Sequence, residues 1–141
     1  MRTKLYLTVA GLTLALGVNL AWSHGDVTPQ AVNTDKLEQL GEERLDVSPY
    51  RGNTDAIAIG KGAYSQNCAR CHGLGGVSGG VAPDLRELGT SAESDEWFIY
   101  RATEGSVRNG MTYMPAMGEF LSQEALWTIS AWLDTVTVAD D

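Results

Sequence analysis

Cys68, Cys71 and His72, in the stretch "NCARCH", are the chain's two cysteines and one of its two histidines. On a helix, residues 68 and 71 share a face about one turn apart, and residue 72 lies one turn on from 68. All three side chains can therefore meet one ligand. Two thiols three apart followed at once by an imidazole form the attachment pattern of a c-type haem, with two thioethers to the porphyrin and one nitrogen ligand to the iron. Other chemistries use similar residues. A thioredoxin-like dithiol needs a strand before the pair in a βαβ setting, which this sequence does not offer. A structural zinc site needs a fourth ligand, and only His24 remains, with no further cysteine. A disulfide between residues three apart closes too short a loop to stabilise much. The pattern predicts one covalently bound haem c, with His72 as one axial ligand.

The second axial ligand must come from elsewhere, and Met111, Met114 and Met117 lie close together. Met114 is favoured because Pro115 biases it to an extended backbone, as a strap across a haem face requires. Met111 is the next candidate, and Met117 reads as core packing. A methionine opposite a histidine raises the reduction potential, which suits carrying single electrons. It also fills the position that oxygen or peroxide would need. A haem sensor or peroxidase, the reading from another functional class, needs that position open or displaceable.

The chain opens "MRTKLYLTVAGLTLALGVNLAWSHGD", with Arg2 and Lys4 before an apolar run that ends at Ala21-Trp22-Ser23. This is the anatomy of a secretory signal peptide, residues 1–23, cleaved after Ser23. An uncleaved anchor is the competing reading, weakened by Thr8, Thr13 and Asn19 within the run. Export to the periplasm fits the haem reading, because such attachment happens outside the cytoplasm. His24 at the new N-terminus offers copper an amine and an imidazole but no second protein ligand. Cleavage leaves 118 of 141 residues, enough for one domain. The formal charge of −8 becomes more negative still, since the leader carries two of the ten cations and no carboxylate. Nucleic acid and anionic membrane surfaces are poor partners for such a chain.

The positioning elements follow from periodicity and caps. Residues 24–53 form a polar N-terminal extension holding at most one short helix, "TDKLEQLG", with Thr34 as cap. A helix from Thr54 delivers the cysteines, and "GLGGVSGGVAPDLRELG", with six glycines, reads as a tight loop. A second helix is expected in "SDEWFIYRATEG", capped by Ser94 and ended by Gly105, followed by a glycine-bounded loop through residue 120. A third starts at Ser122 with an apolar stripe of Leu126, Ile129, Trp132 or Leu133, and Val136. The fold class is all-α, with three main helices and long loops that a large apolar cofactor would anchor. Trp97, Trp127 and Trp132 read as core.

Residues 54–138, through "IGKGAYSQNCARCHG", "GGVAPDLREL" and "YMPAMGEFLSQEALWTISAWL", resemble the class I c-type cytochromes. The resemblance implies a cytochrome c domain over 54–138. In that family a glycine and an aromatic of the first helix cross an aromatic of the last, and Gly60, Tyr64 and Trp132 match them. It implies that Pro83, in a P-x-L segment, orients the ligating histidine with its carbonyl, and that Met114 is the ligand of the M-P motif. "HGDVTPQAV", "PYRGN" and "SGGVAPDLR" are similar to the periplasmic cytochromes c550 that accept electrons from PQQ-dependent alcohol dehydrogenases. The implied function is electron transfer from such a dehydrogenase toward a downstream oxidase or cytochrome, with no substrate bond made or broken. Another periplasmic dehydrogenase or an oxidase is the alternative partner.

Overall fold

The computed structural model describes residues 28–139. The expected leader, its cleavage after Ser23 and the His24 terminus lie outside the described residues. The first helix, α1 (Thr54–Asn67), starts at Asn53, whose side chain accepts the Ala56 N–H at 3.0 Å. Cys68 breaks the helical run, and α2 (Ala69–His72) completes one more turn. The next helix, α3 (Ala92–Glu104), is capped by Ser91 rather than Ser94: the Ser91 hydroxyl accepts the Ser94 N–H at 3.2 Å. Capping three residues earlier brings Glu93 as well as Asp95 into the first turn, where carboxylates favour the helix dipole. Helix α4 (Gln123–Leu133) starts at Ser122 as its cap residue predicts. Every residue from Glu124 to Leu133 is buried, so the expected apolar stripe is too narrow a description. This helix is the centre of the domain.

Helices α1 and α4 cross in direct backbone contact. A Cβ on Gly60 would lie 1.8 Å from the Thr128 carbonyl oxygen, so only glycine permits this approach. One turn on, the rings of Tyr64 and Trp132 pack with centroids 4.5 Å apart. The remaining helix, α3, reaches α4 through Phe98 and Trp127, whose centroids are 6.2 Å apart.

The segment after α3 is a β-hairpin rather than a plain loop, pairing β1 (Ser106–Arg108) antiparallel with β2 (Met111–Met114). Asn109 and Gly110, at φ 52° and 77°, make a two-residue turn with both residues left-handed. That turn matches the twist of paired strands, and Asn-Gly is its usual sequence. The fold is nonetheless mostly helical, with this short hairpin as the only sheet among the described residues.

The N-terminal extension forms a strap. "TDKLEQLG" makes one turn, closed by Leu37 N–H on the Thr34 carbonyl at 2.9 Å, and not a helix. The Gln39 amide donates to the Thr34 and Leu37 carbonyls at 3.1 and 3.0 Å, competing with helical bonds. The first turn of α4 then fixes the path. Glu124 accepts the Leu40 N–H at 2.9 Å, and the Gln123 amide donates to the Gly41 and Glu43 carbonyls at 2.7 and 2.9 Å. Leu37 and Tyr50 are buried beneath. At the strap's end Arg51 bridges α3 and the end of α4, donating to Asp95 at 2.6 Å and to Asp134 at 2.9 Å. The Asp95 side chain is only 3 % exposed, and Ser48 N–H is its other donor, at 2.9 Å.

Removing one partner of such a pair leaves a buried charge poorly compensated. Arg51→Met is expected to cost about 3 kcal/mol, read as a lower urea midpoint at unchanged slope. The double variant Arg51→Met/Asp95→Leu should recover most of that loss; equal losses in both would show that the ion pair is not what Arg51 contributes.

Candidate haem-binding site

The C-x-x-C-H stretch forms one turn at the end of α1. Cys68 N–H still bonds the Tyr64 carbonyl at 2.8 Å, while Cys71 and His72 N–H both bond the Cys68 carbonyl, at 3.1 and 3.0 Å. Tyr64 pins the turn from its far end, its hydroxyl donating to the Gly73 carbonyl at 2.7 Å. Gly73 sits at φ 84° with its virtual Cβ 1.8 Å from the Val77 carbonyl oxygen, which forces the chain to reverse directly after His72.

Cys68 is half-buried and Cys71 exposed, and they are not bonded to each other. Burial, with Cys71 adding to it, pushes the Cys68 thiol up to about 12. Among the described residues no group of three or more His, Cys, Asp or Glu side chains is arranged to hold a metal ion. Two unpaired S–H groups on one helical turn instead suit addition across two vinyl groups, giving two thioethers.

His72 is buried, and its Nδ1 lies 2.9 Å from the Pro83 carbonyl oxygen. A carbonyl only accepts, so Nδ1 carries the proton, and in the neutral ring Nε2 is the nitrogen with a lone pair that could ligate a metal. The structure thus brings Cys68, Cys71, His72 and Pro83 together, and the donor set fits a covalently attached haem.

The three methionines separate by burial. Met111 is 63 % exposed, Met117 is buried, and Met114 is half-buried against the core at the end of β2. Met114 and Pro115 pass tightly over the end of α3. Gly105, at φ 69°, would place a Cβ 2.5 Å from the Met114 carbonyl oxygen and 2.7 Å from the Ala116 nitrogen. Of the tryptophans, Trp127 and Trp132 are core, but Trp97 is 45 % exposed and departs from the core reading. It lies on a face of α3 where Arg101 sits over both its ring and that of Tyr100, 5.6 and 5.7 Å from the centroids. Sequence reasoning also missed Arg51 and Asp95, for which no local motif gives a signal.

No helix among the described residues is long and apolar enough to cross a membrane. Residues 55–133 match the family model described as cytochrome c oxidase, cbb3-type, subunit III. The chain is 55 % identical over 136 residues to cytochrome c550 of Pseudomonas aeruginosa, covering 94 % of this chain and 92 % of that protein. It is 35 % identical over 102 residues to the quinohemoprotein alcohol dehydrogenase ADH-IIG of Pseudomonas putida, covering 71 % of this chain but 14 % of the enzyme. It is 26 % identical over 123 residues to the cbb3-type cytochrome c oxidase subunit FixP of Rhizobium meliloti, covering 78 % of this chain and 40 % of that subunit. No solved structure matches the chain. With one C-x-x-C-H site and this likeness over almost its whole length, the chain belongs to the c-type cytochrome family, as a monohaem electron carrier that binds haem c and is homologous to cytochrome c550.

Proposed function

We propose that Cys68 and Cys71 hold the haem as thioethers, that His72 Nε2 and the Met114 sulfur are its axial ligands, and that the protein carries electrons through the periplasm. The donor in this reading is a PQQ-dependent alcohol dehydrogenase, and the acceptor is a respiratory oxidase or another cytochrome. The observation that carries His72 as a ligand is the Nδ1 contact with Pro83, which leaves Nε2 as the other ring nitrogen of a buried imidazole. A quinohemoprotein alcohol dehydrogenase contains a segment similar to most of this chain, which favours that enzyme class as donor. Likeness to a cbb3-type oxidase subunit favours an oxidase on the acceptor side.

When bound, haem supplies a one-electron ferric/ferrous couple. The chain's own residues would do the rest: the thiols would hold the porphyrin at the junction of α1 and α2, Pro83 orients the imidazole, and Met114 would supply the second ligand. With both axial positions filled, no substrate bond is made or broken.

The test mixes the oxidised mature protein with a PQQ-dependent alcohol dehydrogenase and its alcohol and follows reduction of the haem bands. Reduction that requires the alcohol and slows as ionic strength rises is expected, because the acidic surface steers encounter at low salt. Haem that ascorbate reduces but the enzyme does not would place the donor elsewhere. A chain secreted without haem bands would remove the ligand set altogether.

A further inference from the structure

The Pro83 carbonyl sits in a loop with little regular structure, yet it must hold a fixed place against His72. Its neighbour Asp84 is tied on both oxygens. Oδ1 accepts the Arg86 N–H and Nε–H, both at 3.0 Å, while Oδ2 accepts Arg86 Nη2 at 2.8 Å and Ser78 N–H at 3.1 Å. The Arg86 guanidinium holds the Asp84 carboxyl well below the usual carboxylate range. On the other side of Pro83, the Ser78 hydroxyl donates to the Ala82 carbonyl at 2.5 Å. Ser78 thus clamps residues 82 and 84 together, with Pro83 between them. Arg86 is itself anchored, for its carbonyl accepts Val138 N–H at 2.8 Å and the Thr137 hydroxyl at 2.9 Å. The chain's C-terminal tail therefore locks the turn that carries Pro83.

We propose that the Asp84–Arg86 pair, locked by Ser78 and by the tail at Thr137, fixes the Pro83 carbonyl on His72 Nδ1 and thereby sets the reduction potential. The inference rests on the ligand set proposed above, and Asp84, Arg86 and Thr137 act in it as positioning residues. A firm Nδ1–H bond to a carbonyl raises imidazole basicity, which favours ferric iron and lowers the potential. Loosening the carbonyl does the reverse.

Charge and position predict different signs, and two variants of the holoprotein separate them. Asp84→Asn removes a negative charge and Arg86→Gln a positive one, so electrostatics alone raises the midpoint in the first and lowers it in the second. Loss of positioning raises it in both. The expected result is an upward shift in both variants, with a smaller upward shift in the uncharged change Thr137→Val. In the ferrous protein, solvent exchange of the His72 Nδ1 proton, read by NMR, should quicken by about tenfold in both charge variants, as loss of one hydrogen bond gives. A downward or absent shift in Arg86→Gln, or an upward one with unchanged exchange, overturns the proposal. Failure of the ligand set itself shows earlier, as missing haem bands or a missing methionine–iron absorption in the unaltered protein.

Discussion

Gly60→Ala is expected to remove a large part of the domain's stability. The added methyl would stand 1.8 Å from the Thr128 carbonyl oxygen and 2.5 Å from its carbon, both backbone atoms that no rotamer change can move. Helices α1 and α4 would have to separate, and the Tyr64 and Trp132 rings one turn on would lose their 4.5 Å contact. Alanine improves helix propensity by about 1 kcal/mol, but overpacking costs roughly 1–3 kcal/mol and more where backbone must shift. A net loss of about 3 kcal/mol is expected, against a total of about 5–15 for a domain. Gly62→Ala, in the same helix, is the control. Its Cβ meets nothing nearer than the Gln66 amide at 3.9 Å, so a gain of up to about 1 kcal/mol is expected there. Chemical denaturation of the two holoproteins decides it, and similar midpoints would show that the crossing tolerates a methyl group.

Met114→Ala should change the iron more than any other single replacement that leaves the haem attached. Cys71 and His72 lie on α2 and Cys68 caps α1, while Met114 ends β2, so in the proposed ligand set the loss is confined to one axial position. The weak near-infrared absorption of the ferric methionine–iron bond should vanish, and the ferrous protein should bind carbon monoxide at neutral pH. The potential should fall by on the order of 0.2 V, a quarter of the roughly 0.8 V that axial ligands span. Met111→Ala, at an exposed position, should change none of these. If instead Met111→Ala abolishes the absorption and Met114→Ala does not, the ligand assignment must be exchanged.

The parts of this molecule written in adjacent residues were legible, and the parts made by distant contacts were not. Spacing alone put Cys68, Cys71 and His72 on one turn, and Ser122 marked the start of α4. Ser94 was the wrong cap because Ser91 satisfies the same rule three residues earlier and extends the helix. The hairpin was readable in Asn109-Gly110, but its strands are so short that alternation is not visible. Helix α4 looked amphipathic because its sequence does not show that its polar residues Glu124, Thr128 and Ser130 are buried with the rest. Arg51 and Asp95 carry no local pattern, and Thr34 to Leu40 make a single turn rather than a helix because Gln39 and Glu124 take up their polar groups. The Pro83 contact with His72 came from family resemblance rather than from spacing, since it joins residues 11 apart across a glycine-rich loop.

The strap also bears on the order in which the chain assembles. Its bonds from Leu40 to Glu124 and from Arg51 to Asp134 close loops of 84 and 83 residues. Loops of that size carry a large entropic cost before any contact repays it, and the surface that receives the strap does not exist until α4 is built. The strap is therefore the last segment to close. Substitutions at Leu40, Tyr50 or Arg51 should quicken unfolding while leaving the folding rate almost unchanged, which makes the segment a determinant of the protein's lifetime rather than of its route to the native state.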